Sequence, residues 1–83
     1  AEDDNRLQAP MNGRVVAVPL PSGAEVQAGS TVVVVEAMKM EHEIQAPKAG
    51  KISEILVEVG QQVAAREILA ILELDGGSSE HAA

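Results

Sequence analysis

The chain repeats itself. Shifted by 37 positions, residues 7–37 align without a gap on residues 44–74, and eight of the 31 aligned positions are identical. Leu7-Gln8-Ala9-Pro10 falls on Ile44-Gln45-Ala46-Pro47, Gly13-Arg14-Val15 on Gly50-Lys51-Ile52, and Gly23 on Gly60. The match closes with Thr31-Val32-Val33-Val34-Val35-Glu36 over Ile68-Leu69-Ala70-Ile71-Leu72-Glu73. Chance similarity between two β-rich stretches does not hold both glycines and the proline in one register. Two copies of so short a unit imply two similar half-structures packed face to face, because neither can bury its apolar side alone.

The repeated units read as strands. Val15, Val18, Val32 to Val35, Ile52, Ile55 to Val57 and Ile68 to Leu72 form short β-branched or aliphatic runs, bounded by Gly13, Pro19, Pro21, Gly23, Gly29, Pro47, Gly50 and Gly60. No segment keeps an apolar 3.6-residue period long enough for a helix. The best competitor, residues 61–72, aligns with the Val32–Val35 run and so reads as strand. The expectation is an all-β fold of eight strands, four per half: a flattened antiparallel sandwich or barrel of two four-stranded sheets with an internal quasi-two-fold. One domain spans residues 7–74, with repeats 7–37 and 44–74 joined by a hairpin at 38–43. Residues 1–6 read as an acidic N-terminal linker and 75–83 as a flexible Gly/Ser-containing tail.

Composition narrows the function. The 83 residues include no Phe, Trp, Tyr or Cys, so the core is wholly aliphatic, and disulfides, cysteine–zinc sites and thiol nucleophiles are excluded. Six basic against 13 acidic residues give a net charge of -7, which repels phosphate backbones and anionic membranes, and no aromatic platform exists for single-stranded nucleic acid. The longest apolar run falls far short of the roughly 20 residues that span a bilayer, and no secretory signal pattern opens the chain. A soluble, intracellular, monomeric domain is expected, without nucleic-acid or membrane partners. So small a body leaves little room for an enclosed active-site cleft, which favours a carrier or binding module over an enzyme.

The junction between the copies breaks a local rule. A strand ending near Ala37 and another starting near Met40 put Met38-Lys39 in a two-residue hairpin turn, where Asn-Gly or Asp-Gly is favoured because both positions can require positive φ. Instead a long cation stands between two methionines, large apolar residues on an exposed turn. A broken local rule in an otherwise consistent sequence points to function. Lys39 projects from the symmetry junction away from both sheets, and its compact, flexible ammonium suits acylation by another enzyme.

Glu36-Ala37-Met38-Lys39-Met40-Glu41 resembles the biotin-attachment sequence of the biotin carboxyl carrier domains of biotin-dependent carboxylases. The resemblance runs over about residues 7–74 and takes in Ala9-Pro10-Met11-Asn12-Gly13 and Ala46-Pro47-Lys48-Ala49-Gly50. It implies a hammerhead, or barrel-sandwich hybrid, in which a biotin-protein ligase joins biotin to Lys39. Ala37, Met38 and Met40 flank that site, and the methionines contact biotin or partner surfaces. The partners implied are the ligase and the biotin carboxylase and carboxyltransferase of an acyl-CoA or pyruvate carboxylase, in a bacterial cytoplasm or a mitochondrial matrix. The carrier itself contributes no catalytic residue. Residues 18–23 match residues 55–60 in length, so the inserted thumb of bacterial acetyl-CoA carboxylase carriers is missing. The chain is more similar to the thumbless carriers of acyl-CoA carboxylase α-subunits and pyruvate carboxylase.

The nearest rival is a lipoyl domain of a 2-oxo-acid dehydrogenase, with a modified lysine at the same hairpin; the methionine pair argues against it. A plain structural module predicts nothing special at the tip. Glu41 and Glu43 share one face of their strand and His42 takes the other, so no metal site is expected there. Lys48 and Lys51 read as edge-strand charges that discourage sheet-to-sheet association. Gly23, Gly29, Gly50 and Gly60 read as turn positions, not a phosphate cradle, since no helix follows them.

Overall fold

A computed structural model describes residues 5–74. Of the linker expected at 1–6, residues 1–4 lie outside them and Arg6 already belongs to the first strand; the tail expected at 75–83 also lies outside. The described residues form eight strands: β1 (Arg6–Gln8), β2 (Gly13–Ala17), β3 (Glu25–Val26), β4 (Thr31–Ala37), β5 (Met40–Gln45), β6 (Gly50–Ile55), β7 (Gln62–Val63) and β8 (Ile68–Leu74). They make two antiparallel four-stranded sheets, ordered β1-β8-β6-β3 and β5-β4-β2-β7. A shift of 37 residues turns one order into the other, so the sequence repeat is a quasi-two-fold of the fold.

The halves do not each fold into one sheet, as face-to-face packing of two copies would have it. Each sheet takes its two central strands from one copy and its two edge strands from the other. Interlocking of this kind gives the long strands β4 and β8 a partner on both sides, which separate halves would supply less completely.

Alternation of buried and exposed residues holds along most strands, but Val32-Val33 and Leu69-Ala70 are consecutive buried pairs. The pairing explains them. The register slips between Thr31 and Val33 on the β4–β5 side, and β8 pairs with β1 through Ala70 and Ile68, skipping Leu69. An extra residue in the strand turns its side chain back to the core. Ile52, Leu69, Val15, Val32, Val33 and Val35 are fully buried, and the core cluster is entirely aliphatic.

Two expectations need correction. Lys51 is not an edge charge: it lies on central β6, opposite Glu25 on one side and Glu73 on the other. Lys48 stands exposed in the connection before β6. Gly50 is not a turn residue either. It begins β6, where an added Cβ would meet the Glu73 carbonyl and come within 2.9 Å of the Leu74 Cα. Its role is close approach between strands.

Candidate functional site

Ala37 and Met40 close the β4–β5 hairpin, leaving Met38 and Lys39 as its two-residue tip. Both tip residues have positive φ, 54° and 67°. This is the backbone of the mirror-image turn that matches strand twist, built here without glycine. A side chain in the left-handed region costs on the order of 1–2 kcal/mol per residue, so the tip holds its shape against its own local preference.

The strands beneath supply the constraint. Val35 and Ala37 are buried, whereas Met38 is 83% and Met40 63% exposed, and Lys39 is exposed between them. The tip therefore presents two thioethers and an ammonium to solvent from a rigid base. Among the described residues no carboxylate pairs with Lys39; the ion pair near the tip is Arg14 Nη2 to Glu36 Oε1 at 3.5 Å.

The outer face below the tip is a cross-strand row, Gln62–Arg14–Glu36–Glu41, running over β7, β2, β4 and β5. Asn12, Gly13, Arg14, Glu36, Ala37, Met38 and Gln62 line a shallow open depression there, of about 360 Å³. It has a quasi-symmetric twin at the other end of the molecule, lined among others by Glu25, Gly50, Lys51 and Glu73. The depression thus follows from the symmetric close approach at Gly13 and Gly50. At the hairpin end Met38 is part of that lining.

All four residues singled out from the sequence, Ala37, Met38, Lys39 and Met40, come together here, Ala37 beneath the surface and the other three on it. Glu43 accepts a hydrogen bond from Thr31 Oγ1 at 3.1 Å, while His42 turns inward opposite Val35. Among the described residues no three acidic, histidine or cysteine side chains are grouped to hold a metal ion. Sequence reasoning missed the Asn12, Arg14 and Gln62 surroundings, although the aligned Gly13 and Gly50 pointed to them. It also passed over Arg66, whose partner in the repeat is Gly29 and which has a φ of 72°.

With this geometry, the chain belongs to the family of biotin-requiring enzymes, whose family model matches residues 5–72. It is a carrier domain homologous to the biotinyl domains of biotin-dependent carboxylases. It is 48% identical over 57 residues to the methylcrotonoyl-CoA carboxylase subunit alpha of Arabidopsis thaliana, a match covering 69% of this chain and 8% of that one. Among solved structures, a single-chain, multi-domain long-chain acyl-CoA carboxylase superposes with a TM-score of 0.79 at 37% identity, over 93% of this chain and 8% of that one. The lipoyl domain of the 2-oxoglutarate dehydrogenase complex from Azotobacter vinelandii gives a TM-score of 0.74 at 27% identity, over 86% of this chain and 98% of that domain. The chain therefore spans less than a tenth of the length of these carboxylases.

Proposed function

We propose that Lys39 carries biotin covalently and that the domain moves a carboxyl group between two active sites of an acyl-CoA or pyruvate carboxylase. The observation that carries this reading is the tip itself: an exposed lysine between two exposed methionines, on a turn held with both φ angles positive. The residues fit the group. An amide to biotin requires an accessible amine on a stem free to enter another protein, and Lys39 has both. Bound biotin supplies a ureido nitrogen that can carry the carboxyl group.

The chain's own residues attach, position and present. The neutral Lys39 amine attacks the biotin carboxyl group, activated by ATP on a biotin-protein ligase; the new C–N bond forms, the activating group leaves, and the nitrogen gives up its proton. The overall change is loss of one water. Ala37 keeps the hairpin base small and buried, so β2 and β4 lie close. Met38 and Met40 offer soft, adaptable contact to successive partner sites. Tethering raises the local concentration of the attached group at each site, without any acid or base from the carrier.

Residues 18–24 connect β2 to β3, and 18–23 align with residues 55–60 without an insertion, which supports a thumbless carrier of the α-subunit or pyruvate carboxylase type. The test is intact mass after incubation with biotin-protein ligase, ATP and biotin. A gain of one biotin less one water, mapped to Lys39, is expected. No gain there, with a gain from a lipoate ligase, would move the chain to the lipoyl reading that the Azotobacter domain's likeness keeps in play.

A further inference from the structure

Four tight turns among the described residues share one pattern. In 21–24, 27–30, 58–61 and 64–67 the fourth residue's N–H donates to the first residue's carbonyl, at 3.2, 3.0, 3.1 and 3.0 Å. In each, the third residue has positive φ, and in three of them it is glycine: Gly23 at 89°, Gly29 at 91° and Gly60 at 93°. This is the type II arrangement, whose third position favours glycine because a Cβ crowds the backbone there. The fourth turn holds Arg66, at 72°.

The exception falls at one end only. Arg66 N donates to Ala9 O at 2.8 Å and Ala65 N to Asn12 Oδ1 at 2.8 Å, and Asn12 lines the depression beside Met38. The turn at 64–67 therefore belongs to the hairpin end. Its quasi-symmetric counterpart, 27–30, is tied to Ala46 at the far end and keeps the glycine. Glu67 Oε1 accepts from Ala64 N at 2.9 Å, as Ser30 Oγ does from Gln27 N, so both turns are braced alike. Bracing does not account for the arginine.

Charge does. At the hairpin end Arg14 is engaged by Glu36, and Lys39 is the residue to be acylated, so neither is left to anchor the ligase. Arg66 is exposed and, among the described residues, makes no ion pair. In a chain of net charge -7 it is an exposed cation on the turn that the Asn12 contact ties to the hairpin end. A guanidinium is fitted to bidentate pairing with a carboxylate. We propose that Arg66 is a docking residue, held in a strained turn so that its guanidinium meets an acidic side chain on the ligase that acylates Lys39. The inference rests on the carrier reading above.

The test uses the whole chain as ligase substrate, with Arg66→Gly and Arg66→Lys. Arg66→Gly removes the strain, so its unfolding midpoint lies above that of the parent chain, while KM for the carrier rises about tenfold, the loss of a charge-assisted pair, and kcat holds. Arg66→Lys keeps the charge and the strain but not the fork, so its KM is intermediate and its midpoint unchanged. A KM for Arg66→Gly within twofold of the parent, at low ionic strength, overturns the proposal. So does a midpoint that falls, because the turn would then be better served by arginine than by glycine. If the parent chain itself takes no biotin, it is the carrier reading that fails.

Discussion

Gly13 lies directly against Glu36: a Cβ built on Gly13 would stand 2.5 Å from the Glu36 carbonyl oxygen and 2.8 Å from Val35 Cγ1. Neither contact is tolerable, and both partners sit in β4, the strand that ends at the hairpin. Gly13→Ala should cost about 1–3 kcal/mol, the usual range for overpacking, lowering the thermal midpoint by roughly 4–8 °C per kcal/mol. Gly50→Ala should cost a similar amount through the Glu73 carbonyl at the opposite end. Only the Gly13 change presses on the base of the lysine hairpin. Ligation by biotin-protein ligase, measured well below both midpoints, should therefore be slower for Gly13→Ala than for Gly50→Ala.

The lysine assignment makes a sharper prediction. Lys39→Arg keeps the charge and the exposed, left-handed position, so the fold and its midpoint are retained. The guanidinium is a poor nucleophile, and biotin incorporation should disappear. Lys48→Arg and Lys51→Arg should label at the parent rate, since one stands in the connection before β6 and the other on central β6. Streptavidin blotting with peptide mapping reads all three, and label persisting in Lys39→Arg removes that residue from the assignment.

Met38 carries opposing demands. At φ 54° it occupies a position that Asn fills more readily. Met38→Asn should stabilise the domain by about 1 kcal/mol, the strain relieved at one left-handed residue, and leave ligation largely intact. Carboxyl transfer in a reconstituted carboxylase should slow, because the thioether contacts are lost at the partner sites. A variant that gains stability and transfers at the parent rate would show that the methionine serves the turn alone.

Much of this was readable from the repeat. The alignment of Gly13 with Gly50 and of Thr31–Glu36 with Ile68–Glu73 located the long strands and the junction at Met38-Lys39, since those signals are local. The short β1, β3 and β7 carry no apolar run, and Val18, Leu56 and Val57, which read as strand, lie in the connections after β2 and β6. What the alignment left open was which strand lies beside which. Lys51 reads as an edge charge until β6 is known to sit between β3 and β8, and Gly50 reads as a turn until the Glu73 carbonyl is seen against it. Both depend on partners more than 20 residues away. The Gly29–Arg66 mismatch was present in the sequence. Its meaning required the φ angle, because an arginine in a loop is otherwise an ordinary solvated cation.

Across the hairpin, Glu36 and Glu41 are direct cross-strand partners on the outer face. Like charges so placed repel, by roughly 0.2–1 kcal/mol. Arg14 offsets this for Glu36 through a long, half-exposed contact that is worth little by itself. Glu41→Gln should therefore stabilise the domain by a few tenths of a kcal/mol to about 1 at low ionic strength. The gain should shrink toward zero near 1 M salt, where screening acts over about 3 Å. Thermal unfolding of both proteins at two salt concentrations checks this. A gain that survives high salt would assign the effect to packing or strand propensity instead, and the facing carboxylates would carry no measurable repulsion.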